Sequence, residues 1–150
     1  MSDLIQVRLS NDVADAKWGK NVLLTPDSAG YQLHVKVEDL RSVQKAGRQL
    51  DALGIQQFQL VGDGWTVDSQ WALYQGFCTA KKLGAIGWTG TDAEQQQLQH
   101  LHQTFSWAKA IINQTPEDLS PVTLAEQAAT FIQAVAPAGS VSAEVIAGSA

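Results

Sequence analysis

Three histidines, one cysteine and a short glycine turn mark where this sequence could do chemistry. The histidines are His34, His100 and His102. His100 and His102 stand two apart within a helical pattern, so their rings diverge, whereas residues four apart would face one metal. All three read as ordinary surface histidines. The motifs HExxH, CxxC and GxSxG do not occur, which removes the common zinc, redox and serine-hydrolase signatures. Cys78 lies on an apolar helical stripe with no histidine near it in sequence, so it reads as a packed thiol and not as a nucleophile.

The stretch "GDGW", Gly62 to Trp65, follows a strand pattern and precedes a helix, the location where backbone amides cradle phosphates. A lone GxG lacks the third glycine and the later acidic partner of a dinucleotide site, and Asp63 would repel a phosphate. A tight structural turn is the better reading. Glu117 and Asp118 follow Pro116, and Thr115 with Asp118 matches a capping box, so these carboxylates can satisfy free amides at a helix start without any catalytic duty. Trp18, Trp65, Trp71, Trp88 and Trp107 lack a basic setting for base stacking and read as core or interface packing.

The elements that must position these residues follow from hydrophobic period. Ile5, Val7 and Leu9 alternate with polar residues, as in a half-buried strand. "NVLLTPDSAGYQLHVKV" carries two apolar runs around Pro26, Asp27, Ser28 and Gly30, which predicts a hairpin. In its second arm Tyr31, Leu33, Val35 and Val37 share one face. The pattern then changes to a helix over "EDLRSVQKAGRQLDALG", with Leu40, Val43, Gly47 and Leu50 inward, Asp39 as its cap and Gly54 closing its end. A strand over "IQQFQLVG" follows, then a helix from Thr66 with Val67, Trp71, Tyr74 and Cys78 on one stripe, and a short strand around Ile86 and Trp88.

A long helix is expected from about Asp92 to Asn113, with Leu98, Leu101, Phe105, Ala108 and Ile112 inward. At roughly 22 residues and about 33 Å it is longer than a small sheet needs for cover. Ser120 as cap and Pro121 at the first helical position open another helix, with Leu124, Ala128, Phe131 and Val135 as its stripe. "VSAEVIAGSA" reads as a closing strand through Val141, Ala143 and Val145. Interleaved helices and strands give an α/β class with a mixed sheet flanked by helices.

Composition narrows the function classes. The 150 residues are 45% hydrophobic, enough to bury a core, and 15 acidic against 10 basic residues give a net charge of -5. No Lys/Arg cluster offers a nucleic acid an electrostatic footprint, and no apolar run approaches the roughly 20 residues of a membrane span. MSDLIQVRLS has neither a basic region nor an apolar core of a signal peptide, so a cytoplasmic location is expected.

At "AKAIINQTPEDLSPVTLAEQA" the sequence resembles the segment that joins the two domains in the leucyl aminopeptidase family, through Lys109, Asn113, Pro116, Leu119 and Pro121. "ADAKWG" at 14 to 19, "LDALGIQQFQLVGDGW" at 50 to 65 and "WALYQGF" at 71 to 77 extend the likeness over nearly the whole chain, toward a bacterial branch of that family. The resemblance implies an N-terminal α/β domain over 1–91, similar in fold to macro domains, a linker helix and turn over 92–115, and the start of a truncated catalytic domain over 116–150.

In that family the later domain holds two divalent metals, manganese or zinc, with a lysine, several aspartates, a glutamate and an arginine. Those motifs have no counterpart in this chain, so no catalytic, cofactor-binding or metal residue is carried over. The resemblance thus implies the non-catalytic N-terminal part of a cytoplasmic metal-dependent aminopeptidase that removes N-terminal amino acids, inactive as this fragment. Its partners would be its own catalytic domain and the other subunits of a homo-hexamer, with self-association of the fragment through its apolar last segments. Two other readings stand beside it: a binding domain for a small ligand such as ADP-ribose, and a structural interaction module.

Overall fold

The computed structural model describes residues 4–78, 84–146 and 148. The chain divides into two compact units, Met1–Gln99 and His100–Ala150.

The first unit is α/β. Its strands are β1 (Gln6–Leu9), β2 (Leu24–Pro26), β3 (Gly30–Leu33), β4 (Gln57–Val61) and β5 (Ala85–Gly87), with helices α1 (Leu40–Ala52) and α2 (Val67–Phe77) between them. The sheet order is β2-β3-β1-β4-β5. Only the β2–β3 pairing is antiparallel, while β1 pairs in parallel with both β3 and β4, and β4 with β5. The mixed sheet expected from the sequence is therefore present, and β1 occupies its centre.

Local chemistry sets the turns. The Asp27 carboxylate accepts from the amides of Ala29 (2.8 Å) and Gly30 (2.7 Å), folding the chain back from β2 into β3. Gly30 is required there because a Cβ would press into the backbone of Gln6 on β1, including its amide nitrogen at 2.7 Å. The second arm of this hairpin is shorter than its alternating pattern suggests. It ends at Leu33, because the backbone of His34 leaves β1 and donates instead to Leu23.

Asp39 caps α1, its carboxylate accepting from the Ser42 amide at 3.1 Å and the Ser42 hydroxyl at 2.6 Å. The helix buries Val43, Ala46, Gly47 and Leu50, whereas Leu40, which the period placed inward, is largely exposed. Thr66 caps α2 in a reciprocal box with Ser69. This helix is buried on more sides than its expected stripe. Ser69, Gln70, Leu73, Tyr74 and Phe77 are fully covered, while Val67 and Trp71 are only half-buried. The reason is that α2 packs closely on α1 and also carries Phe77 edge-on to Phe58 of β4, with ring centroids 4.8 Å apart.

Helix α3 (Asp92–Ile112) starts in the first unit, where Leu98 is fully buried. Its opening is a reciprocal cap: the Thr91 amide donates to Glu94 at 2.8 Å, and the Glu94 amide to the Thr91 hydroxyl at 3.3 Å. The second unit comprises the rest of α3 and α4 (Pro121–Val135), which Ser120 and Pro121 open as their types require. Within it Trp107 stacks on Phe131, centroids 4.6 Å apart and planes at 11°. Gln114 and Gln127 exchange side-chain amide hydrogen bonds at 3.2 and 3.3 Å.

Three expectations for this unit are corrected. None of Leu124, Ala128, Phe131 and Val135 is fully buried, and Leu124 and Val135 are exposed, because α4 meets too little apolar surface to cover its stripe. Residues 141–146 form no strand, since no ladder in the sheet pairs with them. Ile112 is likewise exposed, and it is Ile111 that is buried.

Candidate functional site

A concavity of about 760 Å³ in the first unit lies at the carboxyl ends of the parallel strands β1 and β3. Open α/β sheets offer ligands such a crevice where connections leave neighbouring strands in different directions. In this sheet the diverging connections are those of β1, which leads to β2, and β4, which leads to β5, so the cleft beside β1 and β3 adjoins that point without coinciding with it. The chain leaves β1 into a strap, residues 10–23, and leaves β3 into the segment 34–39 that leads to α1. The strap is tied down at its start, where the Ser10 amide donates to Leu33 at 2.8 Å, and it turns through a short helix at Ala16–Trp18. Gly19 and Asn21 take positive φ there, 102° and 59°.

His34 is the side chain that organises this cleft. Its Nδ1–H donates to the Asp12 carbonyl oxygen at 2.8 Å, because a carbonyl can only accept. Nε2 of the neutral ring then accepts from the buried Thr25 hydroxyl at 2.8 Å. The imidazole thus reaches 22 residues back along the chain to the strap and ties it to β2, and both its nitrogens are occupied in doing so. The surface histidine of the sequence pattern is half-buried, with a structural role that the pattern did not reveal. The cleft's apolar lining comes from Val13, Val22, Leu23, Val35 and Val37. Its charged lining comes from Asp12, Lys36, Glu38 and Lys45.

The other candidate residues do not converge on it. "GDGW" is a turn closed by its own tryptophan: Gly62 and Gly64 take φ of 83° and 88°, and the Trp65 indole donates back to the Val61 carbonyl at 3.2 Å. Gly64 touches the cleft's edge, but Asp63 is exposed. Cys78 is buried, its thiol 3.8 Å from the Gly84 carbonyl. His100 is exposed on α3, and burial pushes the His102 imidazole below its ordinary pKa. Thr115 and Asp118 bond reciprocally, hydroxyl to carboxylate at 2.7 Å and amide to hydroxyl at 3.3 Å, although the segment they cap is a turn and not a helix. Among the described residues, no three His, Cys, Asp or Glu side chains gather where they could hold a metal ion, and no helix is long and apolar enough to cross a membrane.

One polar residue escaped the sequence reading altogether. Gln70 is 1% exposed and pairs through both ends of its amide with the backbone of Thr89, accepting from its N–H at 3.0 Å and donating to its carbonyl at 3.1 Å. It pins the exit of β5 to α2. A glutamine on a nearly all-round buried helix was the only signal available.

Comparison with known proteins now supplies the class. The model of a family described simply as "Peptidase" matches residues 6–92, which is more than half of the chain. The chain belongs to this peptidase family. Among curated relatives, a protein named peptidase B from Vibrio atlanticus is 40% identical over 148 residues, 97% of this chain and 34% of its own length. Peptidase B of Vibrio parahaemolyticus is 39% identical over the same shares, and that of Yersinia pseudotuberculosis 35% identical over 136 residues, 89% of this chain and 32% of the relative. The chain therefore spans about a third of the length of the relatives it matches.

Proposed function

We propose that this chain is the N-terminal, non-catalytic part of a cytoplasmic, metal-dependent aminopeptidase of the peptidase B kind. The observation that supports this reading best is the 40% identity that runs over 97% of the chain yet covers only 34% of the relative. On this reading residues 1–91 belong to the N-terminal α/β domain, which the first unit contains. The bond-breaking groups and the pair of divalent metals, manganese or zinc, belong to the length of such relatives that this chain does not span. There the metals would activate water against the peptide carbonyl. The second unit begins the connection to that part, and assembly into a homo-hexamer is the form in which the whole enzyme would work.

The exposed apolar side chains of the second unit fit this role. Val122, Leu124, Ile132, Val135, Val145 and Ile146 are each more than a third exposed. Burying a side chain of this size stabilises by roughly 1.5 to 3 kcal/mol, so further sequence or other subunits would find a ready surface there. The test compares this 150-residue chain with a longer gene product that begins with it. Supplied with manganese or zinc, the longer protein cleaves aminoacyl-amide substrates and loses activity to a chelator, while the chain alone turns over none. Turnover by the purified chain alone, or a longer product without peptidase activity, refutes the proposal.

A further inference from the structure

We propose that the cleft between the strap and the 34–38 segment binds a zwitterion with an apolar side chain: a free amino acid or, better, a short peptide with both termini free.

The first support is size and place. About 760 Å³ at the carboxyl edge of a parallel sheet lies within the range of small-molecule sites. The second is the lining, in which Val22 and Leu23 at the end of the strap and Val35 and Val37 after β3, all half-buried, supply apolar wall. The third is charge. Two ammonium groups, Lys36 and Lys45, and two carboxylates, Asp12 and Glu38, border the same space. None of the four belongs to a close ion pair among the described residues; those pairs are Arg8 with Asp27 and Lys17 with Asp15. Asp39, the nearest further carboxylate in sequence, is held by Ser42 at the start of α1 and also feels the charge of Lys45, without a close ion pair between them.

The balance of signs selects the ligand class. A diphosphate or any other polyanion would meet two cations and two anions, so attraction and repulsion offset each other. A molecule with one positive and one negative end can use both. His34 contributes by fixing the backbone of Asp12, which sets where one of the anions stands. The cleft's lining, and not the peptidase relationship, carries this assignment, so either can fail without the other.

The probe is L-valyl-L-alanine, titrated into the full chain with amide chemical shifts recorded by NMR and heats by calorimetry. The expected result is saturable shifts at residues 10–14, 34–38 and 42–45. N-acetylation or C-amidation of the peptide should each weaken binding about three- to fivefold, the scale of a partly exposed ion pair. Asp12→Asn combined with Glu38→Gln should erase the preference for a free amino terminus. Lys36→Gln combined with Lys45→Gln should erase the preference for a free carboxylate. All four positions are exposed, so these variants keep the fold, which the unchanged remainder of the spectrum verifies. Absence of shifts at these segments overturns the proposal. So does equal affinity for free and capped peptides, or tighter binding of ADP-ribose than of the dipeptide.

Discussion

Gly76→Ala should destabilise the first unit, although alanine is the better helix former. In an exposed helix interior the change would gain up to about 1 kcal/mol. At this position, however, an added Cβ meets the backbone of α1: the Gln44 carbonyl oxygen far inside contact, the Gln44 carbonyl carbon at 2.9 Å and the Arg48 nitrogen at 3.2 Å. Backbone atoms cannot swing aside as a side chain can, so α1 and α2 must part. Opening a packed contact by about 0.5 to 1 Å forfeits a quarter to a half of each dispersion well, and Val43, Leu50, Leu73 and Phe77 are all fully buried in this unit. Overpacking costs about 1 to 3 kcal/mol, and a clash with backbone falls in the upper part of that range, about 2 to 3, so subtracting a propensity gain of about 1 leaves a net loss of roughly 1 to 2 kcal/mol. For a unit of this size that corresponds to a fall in Tm of about 4 to 16 °C.

Gly47→Ala faces the same crossing from the other side, where a Cβ meets the Leu73 carbonyl oxygen and lies 2.9 Å from the Phe77 nitrogen. Once the helices have parted for one methyl the second finds room, so the double variant should lose less than the sum of the singles. Thermal unfolding followed by far-ultraviolet circular dichroism measures this, with Gln75→Ala as the exposed control on α2, expected within about 0.5 kcal/mol of the parent. A Gly76→Ala protein with an unchanged or raised Tm would refute the claim that the two glycines set the helix spacing.

The remaining expectations concern buried polarity and charge. Gln70→Leu keeps apolar bulk but strands the N–H and carbonyl of Thr89, at about 1 to 3 kcal/mol for each group left unsatisfied, and hydrogen exchange at Thr89 should accelerate along with the loss of Tm. Partial burial disfavours the Asp27 carboxylate, but the amides of Ala29 and Gly30 and the Arg8 guanidinium outweigh it, so its pKa falls below the ordinary 3.8. A carboxylate with a depressed folded pKa contributes stability that is fully present above about pH 4 and is lost as pH falls through the folded value. Asp27→Asn should therefore lower Tm at neutral pH and flatten its decline below pH 4; parallel acid profiles for variant and parent would contradict this.

The sequence by itself determined what local chemistry can determine. Asp39, Thr66, Ser120 and Pro121 start their helices where their types demand, because a cap is satisfied by amides two or three residues away. The reversal at Asp27 and Gly30 and the tight turn at "GDGW" are equally short-range, and so is the α/β alternation that follows from hydrophobic period. The peptidase relationship was legible too, through stretches spread over nearly the whole chain. Tertiary structure decided what depends on partners distant in sequence. Which helix face is buried in α2, and why Gly47 and Gly76 must be glycines, follow from the α1–α2 crossing, which neither helix encodes alone. The pairing of Gln70 with Thr89 spans 19 residues, and the ties from His34 to Asp12 and Thr25 join three separate segments. The cleft itself exists only because β1 lies between β3 and β4, so that segments far apart in sequence leave the same edge of the sheet side by side. The alternation at 141–146 shows the converse: a strand pattern specifies a face, but a strand forms only where another strand accepts its hydrogen bonds.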